Sequence, residues 1–489
     1  MSEYFYDVYD DENEGFYDTY DDKSDWFIRN YKTADWRDVY KSCIIPSCFQ
    51  IINYIAPFVA MNIFLCIGNK LQARYLPSLY NITHSLSFGC GLFLIYNTLD
   101  HGHLYLGQFF ISVYLLIKLS FIDQKRIRFD LLISIYSILY LIICELLERD
   151  PKIWHHIRGV LMIAVMKSIS LAMDTKADRS LRDRISIISY LGYICCPANC
   201  IFGPWISFNE YLNNITRSKA RLKLNLKYFI QIVLNLALSV LCLLVSNCGD
   251  SMFSTEHLWK WIVAYGAALS FRMSHYFVSF LSQTTMVSAG FAGTIDDTLA
   301  KPLPNKQAQY IGYTVVRPWR IEFPRSLVHV VVAWNFPMHN FLKQYIFRAI
   351  KPHGTFAAVF LTYVTSSLLH GLNFQLWATL LTIGVWSYVE YNIRNKLAHI
   401  FSSCVSVNKC LIPCTKHQLG HKKVLTIFIN SIFTLLCVIN LTYLGAIFDS
   451  NSQLQTEGYS FNHTLDKWNR LDYMSHWLLL LGYFFNWLI

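Results

Sequence analysis

The stretch "FLTYVTSSLLHGLNFQLWATLL", residues 360–381, is apolar enough for lipid yet keeps one imidazole, His370, near its middle. An ionisable side chain at membrane depth is costly and as a rule lines a pathway or pairs with a partner. A lone histidine also has plainer readings: it can pack against a neighbouring carbonyl, or lie in a segment less buried than its hydropathy suggests. His370 has polar company, with Thr362, Tyr363, Thr365, Ser366 and Ser367 before it and Gly371 and Asn373 after it. Gly371 interrupts the run and predicts a broken or re-entrant element, which survives only inside protein or beside a cavity.

Outward from this stretch the pattern repeats. The 489 residues are 54% hydrophobic and only 15% charged, which sets them apart from an ordinary soluble chain. Crossing about 30 Å of hydrocarbon takes roughly 20 apolar residues. Windows of that kind lie at 44–67, 77–96, 104–121, 129–147, 155–173, 186–206, 228–247, 259–282, 355–370, 374–392, 424–447 and 475–489. The expectation is an all-α polytopic membrane protein with about ten transmembrane helices, broken elements at 186–206 (Pro197, Gly203, Pro204) and around His370, and interfacial helices. No solenoid period and no inverted repeat is visible.

Residues 1–25 carry ten acidic side chains against one basic one, Lys23, a charge of −9 that leaves +19 on the remainder. This tyrosine-rich tail, taken as residues 1–40, has too little aliphatic surface for a core and is expected to be disordered; residues 41–489 form one membrane domain. The tail does not resemble a cleavable signal, so the first apolar window is read as a signal anchor. Basic loops at 123–128, 176–184 and 217–227 suit anionic headgroups and cytoplasmic retention, not nucleic acid. They leave the orientation unassigned. Sequons stand at Asn81, Asn214, Asn440 and Asn462, of which Asn214 and Asn462 lie outside the apolar windows.

Among the fourteen cysteines, those in apolar windows, such as Cys43 and Cys437, read as buried thiols. Cys195, Cys196 and Cys200 read as buried thiols in preference to S-acylation sites. Cys404, Cys410, Cys414, His417 and His421 crowd one polar loop; four of them suffice for zinc, but the irregular spacing favours thiols that are free, paired or acylated, and no metal is assigned. The polar break at 283–325 leads into 326–350, whose alternation suits a helix on the membrane surface. Asn335 lies there, two residues before Pro337, where it either caps a helix or donates to a developing oxyanion. A neutral imidazole and a carboxamide together suit acyl transfer.

The histidine inside an apolar segment, with an asparagine 35 positions upstream, resembles the membrane-bound O-acyltransferase family. The resemblance runs from about residue 150 to the C-terminus and rests on "WHHIRGVLMIAVMKSISLAMD" (154–174), "IFGPWISFNEYL" (201–212), "SFRMSHYFVSFLSQTTMVSAGF" (270–291), "EFPRSLVHVVVAWNFPMHNFLKQYIF" (322–347), "GTFAAVFLTYVTSSLLHGLNFQLWATLL" (354–381) and "CVSVNKCLIPC" (404–414). It is closest to members that esterify a serine of Wnt proteins with palmitoleate. It implies His370 as catalytic histidine with Asn335 as its partner, a catalytic segment over 322–395, palmitoleoyl-CoA as co-substrate from the cytosolic side, and a Wnt acceptor from the lumen of the endoplasmic reticulum. No metal or other cofactor is implied. Trp334, Phe336, Tyr363 and Ser366 are expected at the acyl chain, although for each aromatic taken singly lipid-facing packing is the better account. Arg317 and Arg320, with Arg325, suit either the phosphates of CoA or lipid headgroups. Other readings are an acyltransferase for a different protein or a lipid, a transporter, and a non-catalytic Wnt escort, which would need a lumenal docking surface but not His370.

Overall fold

A computed structural model describes residues 36–76, 78–79, 81–99, 102–122, 128–148, 150–217, 226–252, 259–291, 313–410, 414–448 and 460–489. The acidic tail up to residue 35, most of the basic loops at 123–128 and 217–227, and 292–312 of the polar break lie outside the described residues. Residues 36–40, grouped with the tail in the sequence, are helical.

The principal helices are α1 (Ile45–Tyr75), α2 (Asn81–Thr98), α3 (His103–Ile122), α4 (Phe129–Leu147), α5 (Pro151–Ala177), α6 (Ile187–Ile194), α7 (Phe208–Arg217), α8 (Leu226–Met252), α9 (Lys260–Ser288), α10 (Leu327–Trp334), α11 (Phe336–Phe341), α12 (Thr355–Leu369), α13 (Phe374–Ile400), α14 (Val424–Gly445), α15 (Phe461–Arg470) and α16 (Met474–Leu488). Each apolar window therefore carries a helix. Among the described residues, six helical stretches are both long and apolar enough to cross a bilayer: Trp36–Tyr75, His103–Ile122, Phe129–Leu147, Ile153–Ala177, Leu226–Gly249 and Val424–Gly445. Large apolar side chains such as Phe93, Leu115, Leu234, Phe428 and Leu435 are exposed on these and neighbouring helices, a surface that lipid tails would cover.

One helix stands apart. In α5, 72% of the spanning window is buried, against 22–33% in the other five, so α5 is the buried post of the bundle, packed chiefly against α4. Polar side chains on it face protein. Lys167 is buried and donates to the carbonyls of Tyr193 (2.9 Å) and Ile194 (3.0 Å) and to Asn199 Oδ1 (2.8 Å), beneath the Tyr193 ring at 5.2 Å. These acceptors belong to the broken element foreseen at 186–206. α6 begins at a Ser186–Ser189 capping box and stops at Cys195, and the chain then turns through a cis Gly203–Pro204 bond. Lys167 thus satisfies carbonyls that the end of α6 leaves without intrahelical partners. Cys195, Cys196 and Cys200 are buried in this turn, which fits packed thiols and not S-acylation. At Gly91 a Cβ would stand 1.4 Å from the Cys195 carbonyl oxygen, so α2 meets the turn through bare backbone.

Two sequence expectations need correction. Cys43 is not a lone buried thiol but is bonded to Cys248, 205 residues away, joining the start of α1 to the end of α8. Periodicity within one segment carries no information about such a distant partner. Residues 326–350 do not form one surface helix. They break at Asn335, and Phe341 and Tyr345 enter the core, where both pack edge-on against Trp205 and the Tyr345 hydroxyl donates to Asp174 at 2.9 Å.

The spans alternate in direction and gather their ends at two faces. One face holds the Cys43–Cys248 bond, the Lys260–Asp472 ion pair and the contact of Glu145 with Leu372. The other holds the Lys176–Asp130 ion pair, the bond from Tyr228 to the Ser288 carbonyl, the Arg325 contacts with residues 404–407 and the Lys396–Asn486 bond.

Candidate active site

α12 has 15 residues, about 22 Å of helix, and cannot span a bilayer unaided. It ends at His370 because Gly371 takes φ +82°, a left-handed conformation that glycine adopts without strain. After Leu372 the chain restarts at Asn373, whose side chain caps α13 by accepting from the Leu376 N–H. The two helices form an antiparallel hairpin, closed by the Trp377 Nε1 bond to the Gly371 carbonyl (2.8 Å) and by Tyr363 lying against Gly384. His370 is therefore at the tip of a hairpin. Its backbone N–H bonds to the Ser367 carbonyl at 3.0 Å, which leaves the ring to meet neighbours from other helices.

Three residues that other helices bring to this tip were not singled out in the sequence. Glu145 on α4 accepts from the Leu372 N–H at 2.6 Å, and a Cβ at position 371 would lie 2.5 Å from its Oε2, so its carboxylate holds the tip. Arg158 on α5 is close enough to interact by charge with both Glu145 and His370. His275 on α9 is the third group within electrostatic reach of His370. Its ring stacks on Trp334 (centroids 4.2 Å apart, 11° between planes), and its Nε2 bonds to the Trp334 carbonyl at 3.0 Å. The available signal was an ionisable residue inside an apolar window, the one that drew attention to His370.

His275 links the hairpin tip to Asn335, because the carbonyl it holds belongs to the preceding residue. Asn335 has extended dihedrals (φ −152°, ψ 93°), terminates α10 and caps α11, its Oδ1 accepting from the Met338 N–H at 3.0 Å. The capping alternative is thus realised. It does not compete with the chemical one, because a backbone N–H demands the oxygen and leaves the NH₂ as the free-facing end of the amide.

The remaining expected residues divide into two groups. Trp334 and Phe336 flank Asn335, and Arg317 lies over the Phe336 ring at 4.7 Å, with its backbone N–H bonded to the Ala333 carbonyl. Arg320 sits one turn further, in the short helix Pro318–Glu322. Tyr363 and the buried Ser366 belong to α12; Tyr363 lines a small apolar recess with Phe356, Val359, Leu381 and Tyr388, which neither Trp334 nor His370 lines. Arg325 is a structural clamp: it donates to the carbonyls of Cys404 (3.0 Å), Ser406 (3.0 Å) and Val407 (3.2 Å).

A buried helical bundle with a base-competent imidazole at a helix break and an asparagine amide across a stacked histidine is an arrangement suited to acyl transfer. Residues 105–410 match the MBOAT, membrane-bound O-acyltransferase family, and the chain belongs to it. It is an acyltransferase of the membrane-embedded, all-helical kind. Among curated proteins it is similar to the protein-serine O-palmitoleoyltransferase porcupine of Anopheles gambiae, 41% identical over 469 residues, which cover 92% of this chain and 94% of that protein. The porcupine proteins of Mus musculus and Homo sapiens are each 32% identical, over 91% of this chain and 95% of theirs.

Proposed function

We propose that the chain transfers palmitoleate from palmitoleoyl-CoA to a serine hydroxyl of Wnt proteins in the endoplasmic reticulum membrane. The observation that carries this reading is the near full-length likeness to a protein-serine O-palmitoleoyltransferase. His370 takes the proton of the serine hydroxyl, whose oxygen attacks the thioester carbonyl. The Asn335 amide donates to the oxygen on which charge collects. The C–S bond then breaks, the acyl group stays on serine, and the CoA sulfur leaves with the proton from His370. A thioester is already activated, so positioning the two reactants supplies much of the acceleration. Trp334, Phe336, Tyr363 and Ser366 are assigned to the acyl arm, and Arg317 and Arg320 to the phosphates.

Charge supports the direction of supply. The helix ends at the face of the Lys176–Asp130 pair are those that the basic sequences "DQKRIR" (123–128) and "RSKARLKLNLK" (217–227) join, and Lys409, Lys416, Lys422 and Lys423 lie there too, which supports reading that face as cytosolic, where acyl-CoA is found. The opposite face carries the Cys43–Cys248 disulfide, which belongs in an oxidising lumen, and the exposed Asn462 of a sequon. Asn214 and Asn440 are buried. Asn462→Gln is therefore expected to abolish the mobility shift produced by an N-glycosidase; a shift that persists in the variant rejects this orientation.

The activity test uses purified full-length chain, alkyne-tagged palmitoleoyl-CoA and a serine-containing Wnt peptide. Label should join this peptide and not its Ser→Ala counterpart. Failure to label either peptide by well-folded protein, or labelling of a lysophospholipid in their place, overturns the assignment.

A further inference from the structure

In the loop between α13 and α14 the side chains of Cys404, Cys410, Cys414 and His417 converge, with one ligand atom from each all lying within 4.8 Å of one another. His417 Nδ1 is 3.8 Å from Cys404 Sγ, 3.3 Å from Cys410 Sγ and 3.5 Å from Cys414 Sγ. One ring nitrogen has a single proton or a single lone pair and cannot serve three sulfurs by hydrogen bonding. Around a tetrahedral zinc ion, with bonds of about 2.3 Å to sulfur and about 2.0 Å to nitrogen, nitrogen and sulfur ligand atoms stand about 3.5 Å apart, and the three separations here, 3.3–3.8 Å, centre on that value. No disulfide joins the three thiols. We propose that Cys404, Cys410, Cys414 and His417 bind one structural zinc ion.

The donor set suits the metal. Three thiolates and an imidazole form a closed tetrahedral set with no position left for water, the signature of structural and not catalytic zinc. The surroundings are organised as an outer shell. His421, the fifth polar residue of the loop, is not a ligand; its Nε2 meets the Cys410 carbonyl at 3.2 Å. The Cys404 N–H is held by the Leu419 carbonyl and the Leu419 N–H by the Ser402 carbonyl, which folds the two arms of the loop together. Arg325 grips the carbonyls of residues 404, 406 and 407 and lies within electrostatic reach of Cys404 and Cys410. The next residue, Ser326, caps α10, and the Leu327 N–H is taken by Glu390 at 2.8 Å. α10 runs from this clamp to Asn335, so the zinc loop fixes the root of the helix that presents the amide. The loop lies on the basic face, where a reducing cytosol keeps thiols available for metal.

The test measures metal on the full-length protein purified in detergent without chelator or added metal, and is independent of acyl transfer. Elemental mass spectrometry should find about one zinc per chain. Cys410→Ser and His417→Ala should reduce it to background, and His421→Ala should retain it. If the ligand variants do not fold, differential alkylation of wild type decides: Cys404, Cys410 and Cys414 should resist N-ethylmaleimide until a zinc chelator is added. Wild type carrying only trace metal, three thiols that alkylate without chelator, or a disulfide among them would overturn the site, as would full zinc content in folded His417→Ala.

Discussion

Replacing His370 by alanine is expected to eliminate acyl transfer while the protein remains folded. The ring sits at a hairpin tip whose shape is set by Gly371, by the Asn373 cap and by the bond from Leu372 to Glu145, none of which uses the imidazole. The backbone should therefore survive its removal. A positioned general base contributes about 10²–10⁴ in rate, so transfer to the serine peptide should fall at least that far, with retention of the acceptor unchanged. Single-turnover transfer at matched folded protein, together with a pull-down of the acceptor, measures both quantities. Transfer within a few fold of wild type would make His370 a packing residue and move the search for the base to its neighbour His275.

The second large effect concerns stability. Lys167→Met should be severely destabilising even though methionine matches the length of the lysine stem. The ammonium supplies all three of its protons, to the carbonyls of Tyr193 and Ile194 and to Asn199 Oδ1, in a place where no water competes. Methionine leaves the Ile194 carbonyl and Asn199 Oδ1 without this donor and the Tyr193 carbonyl with only a 3.4 Å bond from the Cys196 N–H, and each buried acceptor left unsatisfied costs about 1–3 kcal/mol. Since these acceptors hold the turn after α6 against α5, the loss should appear as aggregation on size-exclusion chromatography and a lower thermal midpoint in detergent. Removing the acceptor side chain instead, with Asn199→Ala, should be milder, because the ammonium keeps two carbonyls. A Lys167→Met protein that melts with wild type would show that the cage contributes little.

Much of this architecture was legible because hydropathy is local: a run of apolar residues announces a helix wherever the chain then goes, and each window from 44–67 to 475–489 contains one. His370 was legible for the same reason, as an ionisable group in the wrong solvent. What could not be read was assembly. Glu145, Arg158 and His275 lie on three helices 95–225 residues before His370, and only packing brings them to its tip. Asn335 was ambiguous between cap and donor because the sequence cannot show which end of an amide is engaged. The convergence of the loop cysteines was hidden because the number of residues between them says little about how near their sulfurs come in space.

The bond between Cys43 and Cys248 also sets a timetable. At about 5–20 residues per second, the ribosome needs about 10–40 s to deliver the second thiol after the first, and 205 residues separate the two. Throughout that interval α1 has only reversible contacts to hold it, while the segments from α2 to α7 are synthesised. Closure of the covalent ring is thus a late event that records the arrival of α8 beside α1, and a chain stalled before residue 248 would still show Cys43 to a thiol reagent.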